Sequence, residues 1–308
     1  MSRLVKLAGC LLLSVLMGCN PSPSSNNNVV CTTTMITDVV SIIAGNKLNV
    51  VGLMGPGVDP HLYKASAKDV RLLNDADVIF YNGLHLESKM EEFLSNLKDK
   101  KTVVAIADSV DKSQLIKVDD NLYDPHIWFD LDIFSISILE IKSQLVKKYP
   151  QFKEDFETNY KNYMTQLADL KKSNIKLINT LKDTQRILVT AHDAFSYFAK
   201  AYNFEVIALQ GISTQAEAGL ADVDRLVRII VEKQIPAIFV ESSISPRQIK
   251  AVQDAVHAKG WNVKIGGELY SDALGEQGTK VGTYLGMFEH NVETIVSGLL
   301  LHLDYLSK

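Results

Sequence analysis

Short apolar runs alternate with amphipathic stretches along the chain after residue 28. The apolar runs have the length of strands, and the stretches between them place apolar residues three or four positions apart, as helices do. The predicted strands cover residues 29–34, 48–54, 78–81, 102–107, 186–190, 205–209, 237–240 and 263–265. Because strands that alternate with helices pair in parallel through crossover connections, this pattern predicts an α/β fold with parallel sheets.

The alternation stops at residues 151–182, where neither Gly nor Pro interrupts a run of helical spacing. Pro150 stands just before this run, as at the start of a helix. We predict one long helix of about eight turns; the alternative is two shorter helices with a break at residues 171–174. The resulting fold class is two Rossmann-like α/β lobes, residues 29–150 and 183–308, joined by one long rigid helix.

The N-terminus has the composition of a targeting segment. Arg3 and Lys6 precede an apolar run at residues 7–17, which is too short to span a bilayer as a mature helix. This run ends in Leu16-Met17-Gly18-Cys19, which is similar to the lipobox of bacterial lipoproteins. The alternative is an ordinary signal peptide that happens to contain a cysteine.

These features predict that residues 1–18 are a signal peptide and that Cys19 carries a lipid. Residues 19–28 are rich in Pro, Ser and Asn, which is typical of a flexible tether. We therefore expect an extracytoplasmic protein anchored to the cell membrane. Cys31 is then the one cysteine of the folded part, which excludes an internal disulfide and favours a buried, unreactive side chain.

Composition excludes some classes of function. Hydrophobic residues make up 46% and charged residues 22% of the chain, a balance typical of a globular protein. Removal of residues 1–18 takes away two cations and changes the formal net charge from −4 to −6. The mature chain therefore has no basic excess with which to bind nucleic acid.

Three of the seven histidines lie where ligands bind in α/β proteins. His61 and His192 follow predicted strands, and His126 lies in a segment that interrupts regular structure. Ligands bind beyond the carboxyl ends of parallel strands. Residues 266–272 also follow a strand and offer carboxylates, and imidazoles together with a carboxylate suit a borderline cation such as zinc. A loop histidine is, however, more often simply solvated.

From residue 61 onward the sequence resembles the zinc- and manganese-binding proteins of ABC importers, the TroA/ZnuA-like family. Six stretches carry the resemblance and occur in the family's order: Asp59-Pro60-His61-Leu62-Tyr63, Asn82-Gly83-Leu84-His85-Leu86-Glu87, Asp124-Pro125-His126-Ile127-Trp128, Ala191-His192-Asp193-Ala194-Phe195, Val240-Glu241-Ser242-Ser243 and Tyr270-Ser271-Asp272-Ala273-Leu274-Gly275.

The resemblance implies a metal ion held between two lobes, with Zn²⁺ or Mn²⁺ as transported ligand. It implies the metal ligands His61, His126, His192 and Asp272, and an ABC importer permease as partner. We expect a monomer. His85, His257, His290 and His302 are interpreted as structural or solvated.

Three further side chains lie in the matching stretches. Glu241 is a candidate to orient a ligand histidine; otherwise it would interact with the turn at residues 242–243. Trp128 and Tyr63 are interpreted as wall and packing residues.

The native metal is left open by two clues that disagree. Residues 108–124 hold acids but no histidine and are short, whereas zinc-specialised members of the family often carry a long His-rich loop there. Manganese members commonly have Glu where this chain has His192.

Other functions are less compatible with the sequence. A metal-dependent hydrolase would need an open coordination position and a general base such as Glu241 or Asp193, and no His-Glu-x-x-His motif is present. A surface adhesin is compatible with the lipid anchor but has no motif of its own. A haem binder would need a wide cleft with cationic or aromatic lining, which the histidine loops do not supply.

Overall fold

The computed structural model describes residues 27–300. The predicted signal peptide (1–18), the lipidation site Cys19 and residues 19–26 of the predicted tether lie outside this range, as does His302. Within it, no helix is both long and apolar enough to cross a bilayer. Cys31 is free and fully buried, as predicted, and burial raises the pKa of its thiol.

Strands and helices alternate through the described residues. The strands are β1 (Asn28–Cys31), β2 (Asn49–Gly52), β3 (Val78–Tyr81), β4 (Thr102–Ala105), β5 (Lys117–Asp119), β6 (Leu122–Tyr123), β7 (Ile187–Thr190), β8 (Glu205–Ala208), β9 (Ala237–Glu241) and β10 (Lys264–Leu269). The helices are α1 (Thr34–Ala44), α2 (Ala67–Asp75), α3 (Glu91–Lys98), α4 (Leu131–Lys148), α5 (Lys153–Ile178), α6 (Ser196–Tyr202), α7 (Leu220–Glu232), α8 (Arg247–Ala258) and α9 (Tyr284–Leu300).

The first half of the chain builds a parallel sheet with the order β2-β1-β3-β4. The second half has two two-stranded parallel ladders, β7 with β8 and β9 with β10, and β7 lies beside β9, so the spatial order β8-β7-β9-β10 corresponds to that of the first half. In each half the chain crosses from one side of its first strand to the other. Such a reversal opens a crevice at the carboxyl ends of the strands, where ligands bind. The predicted α/β class with parallel sheets is confirmed.

The long helix α5 runs for 26 residues without a break at residues 171–174, so the single-helix prediction is confirmed. It begins later than predicted because Pro150–Phe152 form a 3₁₀ turn, and it ends at Ile178, where the chain turns. Its buried residues face α1 and α4 from the first half and α9 from the second. The helix therefore packs against both halves as well as connecting them.

Helix α4 has no counterpart among the predicted elements. The Asp130 side chain caps it by accepting hydrogen bonds from the backbone N–H groups of Asp132 and Ile133. Its apolar face is buried in the core that also contains α1 and α5. The core is continuous across the two halves, and the rings of Phe129 and Phe195 lie 4.3 Å apart where the halves meet. A packed interface of this kind resists wide hinge opening.

Replacing the fully buried Phe156 of α5 by Ala should lower the free energy of unfolding by about 3–5 kcal/mol, because it leaves a cavity between α5 and its neighbours. The matched control is Ile175→Ala on the same helix, where the side chain is 40% exposed and the loss should be about 1 kcal/mol or less. Urea unfolding of the metal-free proteins measures both. Equal losses would show that α5 is not anchored through its buried face.

Candidate metal centre

The structure brings together the four residues that the resemblance implies as ligands. His61 follows β2, His126 lies between β6 and α4, His192 follows β7, and Asp272 follows β10. Each side chain offers one ligand atom, and these atoms all lie within 4.8 Å of one another. All four residues are at most 2% exposed. Four distant segments of the chain therefore converge on one buried point.

The separations among these atoms match a tetrahedral ion. Nε2 of His61 lies 3.3 Å from Nε2 of His126, and Nε2 of His192 lies 3.2 Å from Oδ2 of Asp272. The His126 and His61 nitrogens lie 3.5 and 3.9 Å from the nearer Asp272 oxygen. A tetrahedron with zinc–nitrogen bonds of 2.0–2.1 Å has edges of about 3.4 Å. The donor set fits a metal ion of this size.

Three of the buried ligand atoms have no partner outside the cluster. Nε2 of His192 and both carboxylate oxygens of Asp272 make no hydrogen bond to any other group within residues 27–300. Buried polar atoms in native proteins almost always have partners. A cation at the centre of the four side chains would satisfy all three atoms.

Asp124 and His126 form the first of two carboxylate–imidazole pairs. Oδ1 of Asp124 lies 2.7 Å from Nδ1 of His126 and also accepts the His126 backbone N–H at 2.9 Å. The carboxylate thereby fixes the plane of the ring and leaves Nε2 directed to the centre. Such partners raise the basicity of a ligand histidine and fix its tautomer.

Glu241 and His192 form the second pair. Glu241 ends β9 beside β7, and its Oε2 lies 2.6 Å from Nδ1 of His192. Its Oε1 accepts the backbone N–H groups of Ala191 and His192 at 2.8 and 2.9 Å. Of the two alternatives left open by the sequence, the structure therefore places Glu241 against a histidine of the cluster.

The sequence Asp-Pro-His occurs twice, and both copies make the same local turn. Asp59 accepts the backbone N–H of His61 at 2.8 Å, as Asp124 does for His126. The second oxygen of Asp59 instead accepts the hydroxyl of Thr214, from the other half of the chain, at 2.6 Å. This repeat is the signal in the sequence from which Asp59 and Asp124 could be identified, although neither is among the residues predicted above to contact the metal or its ligands.

The pKa values of the cluster residues are shifted in different directions. Burial lowers the pKa of His61 to about 3, and the neighbouring imidazoles add to this effect against the opposing charge of Asp272. Burial also disfavours a charged His192, but the carboxylates of Glu241 and Asp272 outweigh it and raise the His192 pKa well above its ordinary value. Burial raises the pKa of Asp272, yet the three imidazoles more than offset this and hold it below its usual range.

A scan against family models matches residues 29–298 to "ZnuA: Zinc-uptake complex component A periplasmic". The chain belongs to this family. Members of the family are metal-binding receptors for transport, and the family is not one of enzymes.

Two curated relatives of the family show similar identity. "Manganese-binding lipoprotein MntA" of Bacillus subtilis is 47% identical over 272 residues, which cover 88% of this chain and 89% of the relative. "Zinc-binding protein TroA" of Treponema pallidum is 47% identical over 271 residues, which cover 88% of each chain. The solved structure of the Treponema pallidum protein superposes with a TM-score of 0.88 at 46% identity, over 89% of this chain and 99% of that one.

The remaining described histidines lie apart from the cluster. His85 is exposed and its Nδ1 lies 2.8 Å from Glu91, while His257 and His290 contact backbone carbonyl oxygens of Val263 and Glu268. Among residues 27–300, no second group of three or more His, Cys, Asp or Glu side chains is close enough to hold a metal ion. Their interpretation as structural or solvated residues agrees with these positions.

The His61 pKa generates a prediction for the metal-free protein. The folded chain keeps His61 neutral down to about pH 3, whereas the unfolded chain takes up a proton near the ordinary value of 6.5. Between these values the unfolded state binds one more proton, so the stability that His61 contributes rises with pH by about 1.4 kcal/mol per unit. In urea unfolding with a chelator, wild type should gain stability over His61→Asn by that amount per unit between pH 4 and 5.5. Parallel pH profiles would contradict the assignment.

Proposed function

We propose that this protein captures one divalent transition metal ion, Zn²⁺ or Mn²⁺, outside the cytoplasm and delivers it to the permease of an ABC importer. The ligands are His61, His126, His192 and Asp272. The observation that carries the proposal is the convergence of three imidazole nitrogens and one carboxylate that has no other partner. Family membership and the printed names of the relatives support the same function.

The arrangement favours binding and transfer over catalysis. Four protein ligands surround the centre, whereas a catalytic metal keeps a position open for water or substrate. The two candidate general bases are both engaged, since Glu241 holds His192 and Asp193 accepts the hydroxyl of Ser196 at 2.8 Å. We therefore propose that the protein has no enzymatic activity.

The proposal includes the domain organisation and the anchor. Residues 29–150 and 183–308 would form the two lobes about the segment 151–182, and Cys19 would carry the lipid. The name of the Bacillus subtilis relative, a lipoprotein, supports the anchor. Because one chain supplies all four ligands, the site is complete in a monomer.

Three imidazoles favour zinc over manganese in affinity, since divalent zinc stands well above manganese in the usual affinity order. Tighter binding does not by itself identify the cargo, because cells set metal availability as well as affinity. The two relatives of similar identity, one named for manganese and one for zinc, illustrate the same point.

Titration of the metal-free protein with Zn²⁺ should give one site, and Asp272→Asn should weaken it by at least about 100-fold. That bound follows because loss of a partner behind a ligand already costs about 10- to 100-fold, so loss of a ligand should cost more. Asp124→Asn should fall within that smaller range. The control His85→Gln removes an exposed histidine outside the cluster and should bind like wild type.

The same titration, repeated at different pH values, tests whether histidines are ligands. Affinity should fall as the pH is lowered below the raised pKa of His192, because a proton on that ring competes with the metal for its nitrogen, whereas His61 stays neutral down to about pH 3. Undiminished zinc binding at pH 5, or equal binding by wild type and Asp272→Asn, would rule out the four-ligand site.

A further inference from the structure

Trp128 touches both halves of the candidate metal centre. Its ring lies edge-on to the His126 ring, with centroids 5.2 Å apart and planes at 75°. Its indole Nε1 donates a hydrogen bond of 2.9 Å to the backbone carbonyl of Ser271. Ser271 immediately precedes Asp272. One buried side chain therefore links the ring of a ligand from the first half to the backbone beside a ligand from the second.

We define the Asp272 loop as residues 270–283, between β10 and α9. The first half of the chain also bonds to this loop at one further point and to the residue that follows it. Oγ1 of Thr34, in the first turn of α1, accepts the backbone N–H of Leu274 at 2.8 Å. Asp38, one turn further along α1, accepts the backbone N–H of Tyr284 at 2.9 Å, where α9 begins.

A hydrogen bond from Tyr284 closes the network. The Tyr284 hydroxyl donates to the backbone carbonyl of Trp128 at 2.6 Å. Tyr284 is fully buried and Trp128 is 1% exposed. Ser271 within the Asp272 loop and Tyr284 just after it are thus both hydrogen-bonded to Trp128, two residues after His126.

The indole of Trp128 can donate one hydrogen bond and accept none, so its N–H needs an acceptor. A buried indole N–H without an acceptor is costly. Movement of Asp272 away from the imidazoles would separate Ser271 from Trp128 and leave that N–H unsatisfied until water entered. The bond between Trp128 and Ser271 therefore opposes the motion that would free the metal.

We propose that Trp128 is a positioning residue that sets the rate of metal release, by holding the Asp272 loop against the His126 ring. The inference rests on the proposed function, since it concerns the residence time of the ion at that site. It assigns to Trp128 a role beyond packing. Association should depend little on this bond, because none of the three imidazoles takes part in it.

The test compares Trp128→Phe with Trp261→Phe, the other tryptophan of the chain. Trp261 also donates its indole N–H to a backbone carbonyl, that of Ile235 at 2.7 Å. It is partly buried and lies before the start of β10, whereas Asp272 follows the other end of that strand. Zinc-loaded proteins are mixed with excess chelator in a stopped-flow instrument to obtain release rates. Association rates are measured separately with metal-free protein.

We expect Trp128→Phe to release zinc about fivefold faster than wild type, the effect of one hydrogen bond of ordinary strength. Its association rate should change less than about twofold. Trp261→Phe should match wild type in both rates. A merely structural role for Trp128 would lower the stability of the metal-free protein without separating the two rates.

Thr34→Val tests the second attachment of the Asp272 loop independently. It removes the acceptor for the Leu274 N–H while nearly preserving the shape of the side chain. It should also accelerate release. If Trp128→Phe releases zinc no faster than Trp261→Phe, the role of Trp128 is refuted while metal binding stands. If wild type takes up no zinc, the proposed function fails and this inference fails with it.

Discussion

The buried carboxylate of Asp272 is the group on which the rest of the structure depends. It is 1% exposed, faces three imidazole nitrogens and has no hydrogen-bond donor outside this cluster among the described residues. Removing such an ion from water costs several kcal/mol, and that cost is offset only by well-placed opposite charge. A divalent cation among the four side chains would provide this charge and use the lone pairs of all three imidazoles. Against the effect of burial, neighbouring charges raise the pKa of His192 and lower that of Asp272.

The fold supplies the rigidity that such a site requires. Loops in both halves carry the four proposed ligands, and Asp124 and Glu241 fix two of the imidazole rings from behind. Helix α5 packs against both halves, and aromatic rings fill the contact between them. These features favour release through local movement of one loop over wide opening of the whole molecule. A receptor that binds an ion and later releases it needs a rigid scaffold together with one loop that can move.

The strands and helices that could be predicted were those with a regular spacing of apolar residues. The alternation of apolar runs located the eight strands of the two parallel sheets, and uninterrupted helical spacing located α5. The four residues of the metal centre came from the family resemblance, because loop spacing alone did not distinguish a ligand histidine from a solvated one. Helix α4 was missed although Asp130 marks its start. The bond from Trp128 to Ser271 joins residues 143 positions apart and exists only once both halves are packed, so no local pattern could reveal it.

The most direct measurement of the central claim is anomalous diffraction at the zinc absorption edge from crystals of the zinc-loaded protein. The account predicts one strong peak, about 2.0–2.2 Å from Nε2 of His61, His126 and His192 and from an oxygen of Asp272. A peak at another place, or four side chains that converge with no metal density among them, would contradict it.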